Sequence, residues 1–235
     1  MASPVAAESI PAVGRVAHPY YPRNLVLDHY VPNSNTMQDT LVVLFSCFGS
    51  IALGAVVLSY QRRNSTIKGL ANQLTFLWFF MCGFIHLFLE GYFGIYHKTL
   101  AGDQFFLAQI WKEYSLSDSR YLSSDPFVLI MERLTAFAWG PLAFYIAYAM
   151  YYNRPTRHVV QLIVSVGQLY GTILYYLTTM IEGSPHCDPH PYYVYFYFGF
   201  FNFFWMIVPM ILIVQSSKNL HTAMKLVQQK HKKLQ

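Results

Sequence analysis

Three ionisable side chains stand out inside the apolar runs of this 235-residue sequence: His86, Glu90 and Glu132. Such groups are costly in a membrane-length apolar run, so each is a functional candidate by default. His86 and Glu90 are four residues apart and share one face of a helix. A carboxylate beside an imidazole can hold its tautomer or share its proton, which is what proton donation needs. The pair could also supply two metal ligands, but no further His or Cys lies at matching depth, and no metal is expected. The bland alternative is a polar pair that satisfies itself inside a bundle. Glu132 begins a second stripe with Thr135 and Trp139, at spacings of three and four. Arg133 follows directly, but neighbours on a helix point about 100° apart. It is expected to snorkel to the interface, with a salt bridge to Glu132 as the alternative. Asn202 and Trp205 share a face at i and i+3. Asn202 can bond a buried carboxyl, together with Thr135, and Trp205 offers the best π face for a cation. Either residue alone is also an ordinary packing group between membrane helices.

The elements that must carry these residues are membrane helices. Only 11% of the chain is charged, against roughly a quarter in soluble domains, and 54% is hydrophobic with 19 Tyr and 19 Phe. This excludes a disordered chain, a coiled coil and a disulfide scaffold, and argues against a soluble enzyme. Five stretches are long enough to cross a bilayer as helices of roughly 20 residues. They are Leu41–Tyr60, Ala71–Tyr96, Pro126–Tyr152, His158–Ile181 and Pro191–Val214. They lack the short alternation of barrel strands. The expected fold is an all-α bundle of five transmembrane helices. It divides into an N-terminal segment (1–39), a five-span domain (40–215) and a basic tail (216–235).

Basic residues set the orientation. With five spans, the 61–70 loop, the 153–157 loop and the tail share one side and hold ten Lys and Arg. The other side holds five: Arg15, Arg23, Lys98, Lys112 and Arg120. The first side is expected to be cytosolic and the N-terminus lumenal. The net charge of +5 is then a topology signal, and no nucleic-acid partner is expected. Asn64-Ser65-Thr66 is a glycosylation sequon that faces the cytosol in this topology. The ending Lys232-Lys233-Leu234-Gln235 matches a di-lysine retrieval signal of the endoplasmic reticulum, or is merely a basic tail. No cleavable signal peptide is visible in the polar first 39 residues. There is no Walker loop and no dinucleotide fingerprint, so phosphoryl transfer and nicotinamide chemistry have no support.

Depth tests whether the polar groups can meet. At 1.5 Å per residue from the lumenal span ends, Glu90 and Glu132 each lie about 9 Å in, His86 about 15 Å and Asn202 about 16 Å. An acid, a base, an amide and an indole fall in one dry layer. The 97–125 segment is amphipathic and aromatic, and reads as a lumenal cap on the bundle.

These residues and their surroundings resemble the emopamil-binding protein family of sterol Δ8–Δ7 isomerases. The resemblance runs from about His18 to Gln215. Its landmarks are His18-Pro19-Tyr20, Leu27-Asp28 with Val31-Pro32-Asn33, Cys82-Gly83-Phe84-Ile85-His86 with Glu90-Gly91, and Trp111-Lys112-Glu113-Tyr114. Asp118-Ser119-Arg120-Tyr121, Glu132 with Thr135-Ala136 and Trp139-Gly140-Pro141, Gln161-Leu162 with Ser165-Val166-Gly167-Gln168-Leu169-Tyr170-Gly171, and Asn202 with Trp205 and Pro209 complete them. A relative that lacks isomerase activity departs at the third-span Trp-Gly-Pro and the N-terminal segment. This sequence keeps both and so resembles the active branch. Arg133 departs from the family, which has a small or uncharged residue there.

The resemblance implies an endoplasmic-reticulum enzyme of sterol biosynthesis that moves a ring double bond from C8=C9 to C7=C8. The chemistry needs a proton at C9, a cation at C8 and loss of a proton from C7. His86 and Glu90 would donate, and Glu132 would accept and balance the charge, with donor and acceptor reversible. Thr135, Trp139, Asn202 and Trp205 would line the substrate. No cofactor is implied. The implied partners are a Δ8-sterol, cationic amphiphilic amines that mimic the cation, and the lipid bilayer; the sequence is compatible with a homodimer. A non-catalytic sterol- or amine-binding protein would use the same pocket. A small transporter is the third reading, and the absence of an inverted repeat argues against it.

Overall fold

The computed structural model describes residues 16–27 and 29–234. Arg15, Asp28 and Gln235, used above for orientation, motif and tail, lie outside the described residues, as do residues 1–14 of the N-terminal segment. Among the described residues there are helices and no strands.

Five helices are long and apolar enough to cross a membrane: α1 (Met37–Arg62), α2 (Leu70–Tyr96), α5 (Pro126–Tyr151), α6 (Arg157–Ile181) and α7 (Tyr192–Leu234). Two shorter ones, α3 (Phe106–Tyr114) and α4 (Arg120–Ser123), lie between α2 and α5. Local chemistry sets the starts of the helices. The Thr36 hydroxyl accepts from the Asp39 N–H at 3.1 Å and caps α1. Asp125 caps α5 through the Val128 N–H at 3.0 Å, with Pro126 in the first turn, where no N–H is needed. The α7 helix does not end with its apolar run near Val214. It continues unbroken through the basic tail to Leu234, so no structural break marks that boundary.

In the bundle, α1 packs on α2, α2 on α5, α5 on α6, and α6 along α7. Small residues allow the close approach of α2 and α5. A Cβ on Gly140 would stand 3.2 Å from both the His86 Cβ and the Leu87 backbone nitrogen. The outer faces stay apolar, with Val42, Leu53 and Tyr170 all more than 60% exposed. Side chains of this kind belong against lipid.

The segments 16–36 and 97–125 and the loop after α6 close one end of the bundle. Tyr20, Tyr30, Phe93, Trp111 and Tyr121 are buried there in one cluster. Lys112 is buried and donates to the Val31 carbonyl at 2.9 Å; its burial lowers its pKa to about 8. Arg120 grips Asp118 at 2.7 Å and donates to the Thr179 hydroxyl at 2.5 Å, which ties the cap to α6. The Ser119 N–H reaches the His186 carbonyl at 3.0 Å. Charge-assisted bonds of this kind, with both partners buried, hold the cap in one position.

Candidate active site

Three of the membrane helices widen into π turns, and each π turn contains or immediately precedes site residues. The Gly91 N–H reaches back five residues to the His86 carbonyl, Gly140 to Thr135, and Phe201 to Phe196. The first carries His86 and Glu90, the second Thr135 and Trp139, and the third leads directly into Asn202 and Trp205. Each extra residue turns the chain that follows by about 100° and leaves a backbone irregularity, a device common at functional sites.

His86 is 1% exposed. Its Nδ1 lies 2.5 Å from Glu90 Oε2, and the Gln168 amide nitrogen lies 3.0 Å from its Nε2. Gln168 donates to Nε2, so the ring proton sits on Nδ1 and points at Glu90. The Gln168 carbonyl oxygen is buried with no partner among the described residues. If the amide turns over, that oxygen can accept from an Nε2–H, so Gln168 can serve both the neutral ring and the imidazolium. The Trp205 ring lies against the imidazole, with centroids 4.9 Å apart.

Glu132 is buried, and the Tyr121 hydroxyl donates to its Oε1 at 2.5 Å. Thr135 and Asn202 do not hold it, contrary to expectation. The Thr135 hydroxyl donates to the Met131 carbonyl at 2.9 Å, because a threonine on a helix readily bonds the carbonyl four residues back. Asn202 donates to the Tyr114 hydroxyl and the Phe198 carbonyl, both at 2.9 Å. Arg133 makes no salt bridge to Glu132. Its side chain is exposed, and its Nε donates to the Gly94 carbonyl at 2.9 Å, as the offset between helix neighbours requires.

The seven residues singled out in the sequence all line one cavity of about 470 Å³ between α2, α4, α5, α6 and α7. Its remaining wall is largely apolar, including Phe127, Ile130, Leu134 and Leu174. A few convergent polar groups in an apolar pocket of a few hundred Å³ make a small-molecule site. Among the described residues no three His, Cys, Asp or Glu side chains are grouped so that they could hold a metal ion.

The chain is also similar to known proteins. The model of the EXPERA family, the expanded EBP superfamily, matches residues 106–216. The mouse 3-beta-hydroxysteroid-Delta(8),Delta(7)-isomerase is 44% identical over 92% of this chain and 94% of its own length. The guinea-pig protein of the same name is 42% identical over 88% and 90%. The chain belongs to the emopamil-binding protein family. In this chain Tyr121 and Gln168 are the partners of Glu132 and His86. Neither was singled out as a site residue in the sequence. Tyr121 lies outside the spans, and Gln168 is one neutral polar residue in an uncharged span. The available signal was that both stand within the motifs that carry the family resemblance.

Trp139 owes its place in the cavity wall to Gly167. A Cβ there would lie 2.5 Å from Trp139 Cζ2 and 2.7 Å from Cε2. Gly167→Ala is therefore expected to push the indole toward the cavity and to cost about 1–3 kcal/mol. A lower melting temperature in detergent, together with weaker ligand binding, checks this. An unchanged melting curve would mean that the ring moves freely.

Proposed function

We propose that the chain is a 3β-hydroxysteroid Δ8,Δ7-isomerase. The observation that carries the reading is the convergence of a proton-sharing His86–Glu90 pair and a second buried carboxyl, Glu132, on one apolar cavity, in a chain whose relatives bear that name. A Δ8-sterol has no activated C–H bond, so the step begins with a proton. The His86–Glu90 pair delivers it to C9, and the C8=C9 electron pair forms the new C9–H bond and leaves a cation at C8. Glu132 then removes a proton from C7, and that C–H electron pair closes the C7=C8 bond. One proton enters and one leaves, so the reaction is redox-neutral and needs no cofactor. The Trp205 face and the Glu132 carboxylate stabilise the cation within a largely apolar cavity. Thr135, Trp139 and Asn202 line the path of the substrate. The same cation site is what a protonated amphiphilic amine would occupy.

The basic tail and loops support a multi-pass placement in the endoplasmic-reticulum membrane, with the 1–39 segment lumenal, the 40–215 domain in the bilayer and the 216–235 tail cytosolic. Purified chain, given a Δ8-sterol in D2O, is expected to form the Δ7 isomer with deuterium at C9. A product free of solvent hydrogen would exclude this route. No conversion by a folded, amine-binding preparation would leave a sterol- or amine-binding protein.

A further inference from the structure

A second cavity, of about 230 Å³, meets the site from the opposite side, between α1, α2, α3 and α7. It shares Glu90, Tyr121, Glu132, Asn202 and Trp205 with the first. The mechanism above uses none of its outer end. That end lies under the cap: Thr40 is in the first turns of α1, Tyr197 near the start of α7, and Glu113 on α3. Tyr197 is 2% exposed, and its hydroxyl donates to Glu113 Oε1 at 3.0 Å. The Glu113 Oε2 atom and the acceptor side of the tyrosine hydroxyl, which spends only its O–H on Glu113, are left to face a ligand. Thr40 is 1% exposed and lines the same cavity, and its hydroxyl has no partner among the described residues. A buried hydroxyl without a partner is costly unless a ligand completes it.

Resting on the isomerase reading, we infer that this second cavity is the subsite for the 3β-hydroxyl of the sterol, held by Glu113, Tyr197 and Thr40. The hydroxyl carbon and the reacting carbons lie at opposite ends of two fused rings. A sterol with its hydroxyl under the cap therefore brings C7, C8 and C9 to the residues that both cavities share. The first cavity, past the reacting layer, is lined by Ile130, Leu134 and Tyr170, which are 59%, 56% and 63% exposed on the lipid side of α5 and α6. An alkyl tail leaves there without burying a polar group. The arrangement also keeps the orientation a sterol has in a leaflet, with its hydroxyl at the interface and its tail toward the midplane. Glu132 stands about 9 Å below the start of α5, one ring system deeper than the cap.

The test compares a Δ8-sterol with its 3-deoxy analogue and its 3-methyl ether on the purified full chain. Hydrogen bonds to a carboxylate and a buried hydroxyl predict a kcat/KM for the deoxy analogue about tenfold to a hundredfold lower. The methyl ether, which cannot donate, falls with it. In Glu113→Gln and in the near-isosteric Thr40→Val, the ratio of sterol to deoxy analogue shrinks by about threefold or more. The ratio is the readout, because a merely structural defect lowers both rates together and leaves it in place. Equal kcat/KM for the sterol and the deoxy analogue on the unaltered chain would overturn the subsite while the isomerase reading stood. An unchanged ratio in both variants would do the same. No turnover of any of the three compounds would remove the isomerase reading, and the subsite with it.

Discussion

Glu132→Gln is expected to lower kcat by about 10³-fold, within the range for loss of a positioned general acid or base. Gln is nearly isosteric with Glu, and its carbonyl oxygen can still accept from the Tyr121 hydroxyl, which now lies 2.5 Å from Oε1. The side chain is buried and makes no salt bridge among the described residues, so replacing it by a neutral amide breaks none. The fold is therefore expected to survive with its melting temperature within a few degrees of the parent. What disappears is the base for C7 and the negative charge that faces the C8 cation. The same variant should bind a protonated amphiphilic amine at least tenfold more weakly, since the amine loses its counter-charge in a dry pocket. Steady-state isomerisation and amine displacement on one preparation read both effects. An activity within threefold of the parent would show that Glu132 does not carry the second proton transfer.

His86→Ala should cost a comparable factor, between about 10² and 10⁴ in kcat. The imidazole is the centre of a three-part array: Glu90 at 2.5 Å from one ring nitrogen, Gln168 at 3.0 Å from the other, and Trp205 against its face. Its removal leaves a void and two unpaired polar groups, so a loss of stability of about 2–4 kcal/mol is expected alongside the loss of activity. The two effects separate in Glu90→Gln, which leaves the packing in place and changes only the partner of Nδ1. If His86 and Glu90 donate the proton as one unit, the double variant is no slower than His86→Ala alone. Multiplicative losses would mean that the two residues act independently, and the shared-proton assignment would be discarded.

Much of this site was legible in the chain itself, for a local reason. Whether a residue lies in an apolar run, and how far it lies from the end of that run, depends only on its neighbours in sequence and on helix rise. His86, Glu90, Glu132 and Asn202 could therefore be placed in one layer, and all four line the same cavity. The His86–Glu90 bond was readable too, because a spacing of four sets it within one helix. Partners drawn from other helices were not. Tyr121 reaches Glu132 from a cap helix eleven residues upstream, and Gln168 reaches His86 from 82 residues away. Thr135 is expected beside Glu132 from its spacing of three, and Asn202 from depth. Spacing and depth leave open the direction in which a side chain points, and both find backbone or tyrosine partners instead.

By itself, then, the sequence determined the five spans, the polar layer within them and, through its motifs, the family. Hydropathy, spacing and residue identity are properties of the chain as written. The tertiary structure alone decided which groups touch, that three helices widen into π turns around the site, and that a second cavity opens beneath the cap, with a Thr40 hydroxyl that has no partner among the described residues. Those features depend on the rotation of each helix about its axis and on where helices cross. Both are set by packing between residues far apart in sequence, such as Gly140 against His86 and Gly167 against Trp139, and no local pattern encodes them.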